Sequence, residues 1–335
     1  MRRRKFIHRL AQLGAITMPA FPARLDRAQD QITFGLLADP HADLVPDHMD
    51  RLEAFMRQVD QRKPDFIFQL GDFCFPKVAN QSFLNLWNQF EGPKYHTLGN
   101  HDMDISSKEV VMDFWGMAGR YYSFDIKNLH VVVLDANNIR TKEGDYVPYD
   151  TANFYIDDSM RTFIDPPQLE WLVQDLSTVQ TPILIFSHQS LTSPCWGVKN
   201  RMAVQRILED KNQDASTGQV IACFNGHDHI DYHRIINNIH YLEINSMAYQ
   251  WLGQDYSDKS RYPADLYEAY PSLDKFAPYQ DSLFTFVTVD IKQQNISIMG
   301  KDSAWLAPSP EELGMLRGVE GCQSTPSISE RKLSF

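Results

Sequence analysis

Carboxylate, amide and imidazole side chains recur in this chain where short apolar runs end, and those residue types suit divalent cations and proton transfer. Asp39-Pro40-His41 closes the first run, Gly71-Asp72 the second and Gly99-Asn100-His101-Asp102 the third. Further on, Phe186-Ser187 leads into His188, and Cys223-Phe224-Asn225 leads into Gly226-His227-Asp228-His229. Each is weak alone, because short motifs arise by chance and a lone histidine at a strand end is ordinarily structural. Their recurrence in order is the signal. Carboxylate oxygen together with imidazole nitrogen suits Mn, Fe, Zn or Co, whereas a structural zinc site would call for thiolates. The four cysteines, Cys74, Cys195, Cys223 and Cys322, form no Cys-x-x-Cys pair.

Positioning such residues requires strands that end at one edge. From residue 31 onward, β-branched and aromatic runs alternate with amphipathic segments, the pattern of an α/β fold. Strands are predicted at residues 32–38, 66–70, 95–98, 130–134, 183–187, 220–224 and 239–244, with a closing hairpin from 283–289 and 296–299. Leu52, Phe55, Met56 and Val59 fall at i, i+3, i+4 and i+7, one apolar face of a helix, and Leu169, Leu172, Val173 and Leu176 repeat the spacing after Pro166-Pro167. Two excursions interrupt this rhythm, residues 138–165 and the tyrosine-rich stretch 246–281. Long aromatic loops border pockets about as often as they pack on themselves. In an open α/β sheet, ligands gather outside the carboxyl ends of the strands, which is where the polar residues above collect.

The chain has 335 residues, 43% of them hydrophobic, which is ample for a buried core. Its net charge of −11 disfavours nucleic acid as a partner. No run reaches the ~18 apolar residues of a membrane span, so stable membrane insertion is not expected. At the N-terminus, Arg2-Arg3-Arg4-Lys5 precedes a modestly apolar stretch from Leu10 to Phe21, and no acidic residue appears before Asp26. That layout fits an export signal, and Arg3-Arg4-Lys5-Phe6-Ile7 resembles the core of twin-arginine signals. The expected organisation is a signal over 1–28 that engages the twin-arginine export machinery, a catalytic domain over 29–300, and a surface tail over 301–335. The mature protein is then periplasmic or extracellular.

The series Asp39-x-His41, Gly71-Asp72, Gly99-Asn100-His101-Asp102, His188 and Gly226-His227-x-His229 resembles the calcineurin-like metallophosphoesterase superfamily across about residues 31–245. The resemblance implies a four-layer α/β/β/α sandwich of two mixed sheets carrying two divalent ions. Asp39, His41 and His229 would hold one ion, Asn100, His188 and His227 the other, and Asp72 would bridge them. His101 would stay off the metals, oriented by Asp102, and protonate the leaving oxygen. Two ions roughly 3.5–4 Å apart clamp a phosphate and generate a bridging hydroxide at neutral pH. Such a centre retains positive charge and attracts an anionic phosphoester despite the acidic surface.

The expected substrate is a small phosphoester, either a monoester or a diester or diphosphate of nucleotide type, with the aromatic stretch after Asn245-Ser246 and Trp196 as candidate walls. Phe75 stands where purple acid phosphatases carry a metal-binding tyrosine, so no tyrosinate-iron colour is expected. Cys74 reads as a buried neighbour of the site. His227-x-His229-x-Asp231 also resembles the metal motif of metallo-β-lactamase-like hydrolases, but Tyr232 replaces that family's next histidine, and Asp39, Asp72 and Asn100 would have no role. Two further alternatives are an exported binding protein that has lost catalysis and a nuclease of the same superfamily, the latter opposed by the charge. His48, His96, His130, His233 and His240 match no motif position and read as structural or solvated.

Overall fold

The computed structural model describes residues 30–316, 321 and 323–335, so the proposed signal and Cys322 lie outside the described residues. In chain order the principal elements begin with β1 (Gln31–Leu37), α1 (His48–Arg62), β2 (Phe66–Gln69), α2 (Gln81–Trp87), β3 (Lys94–His96) and α3 (Lys108–Trp115). They continue with β4 (Tyr122–Ile126), β5 (Leu129–Val133), α4 (Pro166–Ser177), β6 (Ile183–Phe186), α5 (Arg201–Lys211) and β7 (Val220–Asn225). Last come β8 (Tyr232–Ile236), β9 (Ile239–Glu243), β10 (Thr285–Asp290), β11 (Asn295–Ile298) and β12 (Arg331–Ser334).

Among the described residues these strands make two six-stranded mixed sheets, β12-β11-β10-β1-β2-β3 and β8-β9-β7-β6-β5-β4. In each, the strands that lead into the polar motifs run parallel: β1, β2 and β3 in one, β5, β6, β7 and β9 in the other. The sheets face each other across one apolar layer. Alternate residues of β1, Ile32, Phe34 and Leu36, point into it and meet Phe66, Phe68, Phe186 and Phe224. Phe34 stacks on Phe66 at 4.7 Å and Phe68 on Phe186 at 4.2 Å. The opposite faces are covered by helices, α1 and α2 on the first sheet and α4 and α5 on the second. This is the four-layer sandwich expected from the sequence.

Local chemistry accounts for the helices. Leu52, Phe55, Met56 and Val59 of α1 are all buried, as their spacing requires. Phe55 presses on β1 where Gly35 leaves room, since a Cβ there would lie 3.0 Å from the ring. α4 opens with Pro at its start, where the missing N–H is not needed. One expectation fails in α4: Val173 is exposed, and Gln168 is buried instead. Its amide accepts from the Asp135 N–H at 2.8 Å and donates to the Asp135 carbonyl at 2.7 Å, so a polar residue takes an inward position because it pairs with a loop.

All the predicted strands are present, within two residues at each end. Within the two six-stranded sheets, three further strands, β4, β8 and β12, lie outside that expectation, and each is the edge of a sheet. Edge strands carry polar and charged residues that discourage further pairing, which erases their apolar signature. β12 lies in the stretch expected to be a surface tail, yet it pairs with β11 from Asn295↔Ser334 to Ile298↔Arg331. Within the described residues, no helix is long and apolar enough to cross a membrane.

Candidate metal centre

The carboxyl ends of β1, β2, β3, β6 and β7 meet at one edge of the sandwich, and the loops leaving them fold over one another. Asp39 and His41 follow β1, Asp72 follows β2, Asn100 and His101 follow β3, His188 follows β6, and His227 and His229 follow β7. Backbone bonds lock these loops together: His41 N–H to the Asp72 carbonyl at 2.9 Å, and Gly226 N–H to the His188 carbonyl at 3.1 Å. The carboxylates wire the motifs in turn. Asp72 Oδ1 accepts from the His101 N–H at 2.8 Å, and Asp39 Oδ2 accepts from the His227 N–H at 3.0 Å. Gly99 is required here, because a Cβ at that position would collide with Asp72.

The side chains form two groups, Asp39 with His41 and His229, and Asp72 with His188 and His227; within each group the ligating atoms lie within 4.8 Å of one another. Asn100 joins the second, its Oδ1 3.2 Å from His188 Nε2. Asp72 Oδ2 reaches both, at 3.2 Å from His188 Nε2 and 3.6 Å from His41 Nε2. Thus all seven residues named from the sequence as ligands come together.

The chemistry of this set fits cations. His188 Nδ1 donates to the Leu70 carbonyl at 2.7 Å and His229 Nδ1 to the Tyr249 carbonyl at 2.8 Å, because a carbonyl only accepts. These bonds fix both tautomers and aim the Nε2 lone pairs inward. There His188 Nε2 faces Asp72 Oδ2, Asn100 Oδ1 and His227 Nδ1, the last at 3.1 Å, while His229 Nε2 faces His41 Nε2 at 3.2 Å and Asp39 Oδ1 at 3.5 Å. The His188 Nε2 lone pair meets Asp72 Oδ2 and Asn100 Oδ1, and the His229 Nε2 lone pair meets Asp39 Oδ1, an arrangement that positive charge makes favourable. Burial opposes charge on His188, yet Asp72 and Asp39 outweigh it and lift the imidazole to about 10. Burial, aided at His227 by neighbouring His188, lowers His41 and His227, keeping them neutral as ligands must be.

Five of the seven residues have left-handed backbone: φ is 49° at Asp39, 45° at His41, 51° at Asp72, 71° at His227 and 53° at His229. Side chains other than glycine rarely adopt this region, and such residues persist where the surroundings over-determine them. The interlocked loop bonds are that constraint.

His101 lies beside the second group. Burial works against its protonation, but Asp72 and Asp104 together raise its pKa above the ordinary value. Its orientation corrects the sequence reading. His101 Nδ1 meets Asp104 Oδ2 at 2.9 Å, and Tyr155 Oη stands 3.4 Å from that nitrogen and 3.2 Å from Asp104 Oδ1. Asp102 instead accepts the backbone N–H groups of Gly99, Asp72 and Phe73, at 2.7, 3.0 and 2.8 Å. Asp102 therefore shapes the ligand loops, and Asp104 orients the imidazole. The only hint in the sequence was a second acid three residues after His101.

The centre forms the floor of a cavity of about 330 Å³. Both excursions contribute walls, Tyr149, Phe154, Tyr155, Asp158 and Arg161 from the first and Tyr249 and Trp251 from the second, and Trp196 lines the cavity too. Trp196 and Trp251 are each 47% exposed. Tyr262, Tyr267 and Tyr270 pack instead behind this wall, in a cluster with Tyr249, Leu273 and Phe276. Cys74 is buried, as expected.

Residues 32–231 match the family model described as calcineurin-like phosphoesterase. A 3′,5′-cyclic-nucleotide phosphodiesterase of Nostoc sp. is 24% identical over 207 residues, spanning 60% of this chain and 70% of that protein. A manganese-dependent ADP-ribose/CDP-alcohol diphosphatase of Arabidopsis thaliana is 26% identical over 204 residues, spanning 49% and 64%. A dimetal phosphatase from Danio rerio superposes with a TM-score of 0.57 at 16% identity, covering 83% of this chain and 99% of that one. GAP50, the anchor in the inner membrane complex of Plasmodium, reaches 0.54 at 14%, covering 91% and 89%. At these identities the two structures speak for the fold alone, and an anchor shares it with a phosphatase, so chemistry rests on the site. Given the family match over most of the described core, the chain belongs to the calcineurin-like phosphoesterases and is a metal-dependent hydrolase.

Proposed function

We propose that this protein is an exported hydrolase of small phosphoesters with a flat aromatic portion, diesters or diphosphates of nucleotide type before simple monoesters. The observation that carries the reading is the convergence of seven ligand-type side chains on the floor of an aromatic-walled cavity, with an oriented histidine beside them. Asp39, His41 and His229 would hold one divalent cation and Asn100, His188 and His227 the other, with Asp72 between. Mn, Fe, Zn and Co all suit this oxygen and imidazole set. When bound, the pair supplies Lewis acidity toward the phosphoryl oxygens and makes water nucleophilic at neutral pH.

The chain's own residues do the rest. Asp104 holds His101 by Nδ1, which leaves Nε2 to carry a proton to the departing oxygen. Phe154 stacks on Tyr149 at 4.6 Å and Tyr249 on Phe276 at 3.9 Å, giving rigid walls around the floor. Trp196 and Trp251, both partly exposed, line the cavity, where a nucleobase-sized ring can stack. The relatives named for cyclic nucleotides and ADP-ribose support this substrate range.

Two measurements test the reading. Hydrolysis of p-nitrophenyl phosphate and bis-p-nitrophenyl phosphate with and without Mn distinguishes a hydrolase from a binding protein, which would release nothing. His101→Asn should depress turnover severely while metal content stays near that of the parent; loss of both metals would defeat its role as proton donor. Export is supported by the basic and apolar layout of residues 2–21. Replacing Arg3 and Arg4 with Lys should abolish it in a fractionation assay.

A further inference from the structure

Among the described residues that line the cavity, Arg161 is the one arginine or lysine, and nothing above uses its charge. It lies in the first excursion, with Nε donating to Asp158 Oδ1 at 3.1 Å and Nη1 to the Phe154 carbonyl at 3.4 Å. A structural ion pair would be the simplest account, but Asp158 already has another cationic partner. Lys199 Nζ binds Asp158 Oδ2, and Lys199 is itself fixed by bonds from Nζ to the Cys195 carbonyl at 2.9 Å and from its backbone N–H to the Thr162 carbonyl at 2.9 Å. One carboxylate faces two cations, so Asp158 alone does not neutralise Arg161.

The position of that charge is informative. Tyr155, six residues earlier, touches both His101 and Asp104 through its hydroxyl. Arg161 Nη1 donates to the Phe154 carbonyl at 3.4 Å, and the Phe154 ring packs against the His101 ring with centroids 6.2 Å apart. Arg161 therefore lies on the His101 side of the centre, where the departing fragment goes. A fragment leaving as an alcohol needs a proton, which His101 gives. One leaving as a phosphomonoester carries its own negative charge and calls for a fixed cation, and the planar guanidinium fork matches phosphate geometry.

We propose that Arg161 is a specificity residue that binds a second phosphoryl group on the leaving side of the scissile phosphorus, so that diphosphate-bridged molecules are preferred over single phosphodiesters. This rests on the diester and diphosphate reading given above. In the reaction, water's oxygen bonds to the attacked phosphorus and the bridging P–O bond breaks. The bridging oxygen stays with the departing phosphoryl group, and each of the two phosphomonoesters gains one of water's protons.

The test compares ADP-ribose, a diphosphate, with thymidine 5′-p-nitrophenyl phosphate, which carries a ring but one phosphate, in the parent protein and in Arg161→Gln and Arg161→Lys. The ratio of kcat/KM for ADP-ribose to that for the thymidine ester should fall at least tenfold in Arg161→Gln, chiefly through KM. Arg161→Lys, which keeps the charge and loses the fork, should fall between that variant and the parent. A ratio that moves in neither variant, while the parent cleaves both substrates, overturns the inference alone. A metal-loaded parent that cleaves neither substrate overturns the underlying functional reading with it.

Discussion

Exchanging the roles of two neighbouring acids is the sharpest consequence of the geometry, and Asp102→Asn with Asp104→Asn puts it to measurement. Asp102 is buried, and its two carboxylate oxygens accept three backbone N–H groups. Asparagine keeps one acceptor oxygen and turns an NH2 group toward whatever the other oxygen served. In the better orientation, the Oδ2 position keeps Gly99 and Asp72, and the Phe73 N–H loses its partner. A buried donor left unsatisfied costs about 1–3 kcal/mol. At roughly 2–4 °C per kcal/mol for domains of 150–250 residues, Tm should fall by about 2–12 °C. Because Gly99 and Asp72 carry the ligand loops, metal affinity should also drop, by the roughly 10–100-fold typical of residues that orient ligands. Asp104→Asn leaves those loops alone and weakens only the hold on His101 Nδ1. Its Tm should stay within about 0.5 kcal/mol equivalents of the parent. Its kcat should fall on alkyl esters, whose oxygen needs a proton, far more than on p-nitrophenyl esters, whose phenolate does not. Differential scanning calorimetry, elemental analysis after dialysis and turnover on both ester types read the three quantities. An Asp102→Asn variant with unchanged Tm and metal content but suppressed turnover would refute the reasoning and restore Asp102 to His101.

Other outcomes follow from the same structure. Burial, assisted by the Lys94 charge, lowers His96 to about 3, while the unfolded chain takes up that proton near 6.5. Stability conferred by the neutral ring is therefore complete above pH 6.5 and lost as pH falls toward 3; by pH 5 the loss is about 2 kcal/mol. Urea denaturation at pH 7 and pH 5 should show it, and His96→Gln should flatten the difference; an equal slope in the variant counts against this origin. Trp251→Ala and Trp196→Ala should raise KM for nucleotide-type esters by about 5–150-fold, the worth of one stacked ring, and change KM for methyl-type esters little. Chelation should lower Tm, and divalent metal at about 100 times its Kd should restore about 2.7 kcal/mol, visible as a concentration-dependent Tm.

Much of the site was legible because its chemistry is carried by residue types that apolar strands tolerate only at their ends. Asp39, Asp72 and His188 each terminate a run of buried β residues, so their positions could be read from the boundary between solvent-averse and metal-loving residues. The core strands were legible for the same reason. What could not be read lies where the signal is conformational or relational. Asp102 and Asp104 are the same residue type two positions apart, and only the fold shows that one faces backbone amides and the other an imidazole. Val173 and Gln168 exchange places because a distant loop, at Asp135, offers Gln168 two backbone partners. β12, Arg-Lys-Leu-Ser, has the composition of a solvated tail and becomes a strand only because β11 offers it an edge.

The left-handed winding at Asp39, His41, Asp72, His227 and His229 bears on how this molecule would evolve. Each such residue is held against its own preference by about 1–2 kcal/mol, a tension that glycine would not feel. Heat-tolerance screens without an activity requirement should therefore enrich glycine at His41, His227 and His229, but not at Asp39 and Asp72, whose carboxylates accept backbone N–H groups, yielding sturdier folds that no longer bind metal. Stability and catalysis compete here through the polypeptide backbone itself, so ancestral or consensus redesign of this chain has to hold those positions fixed.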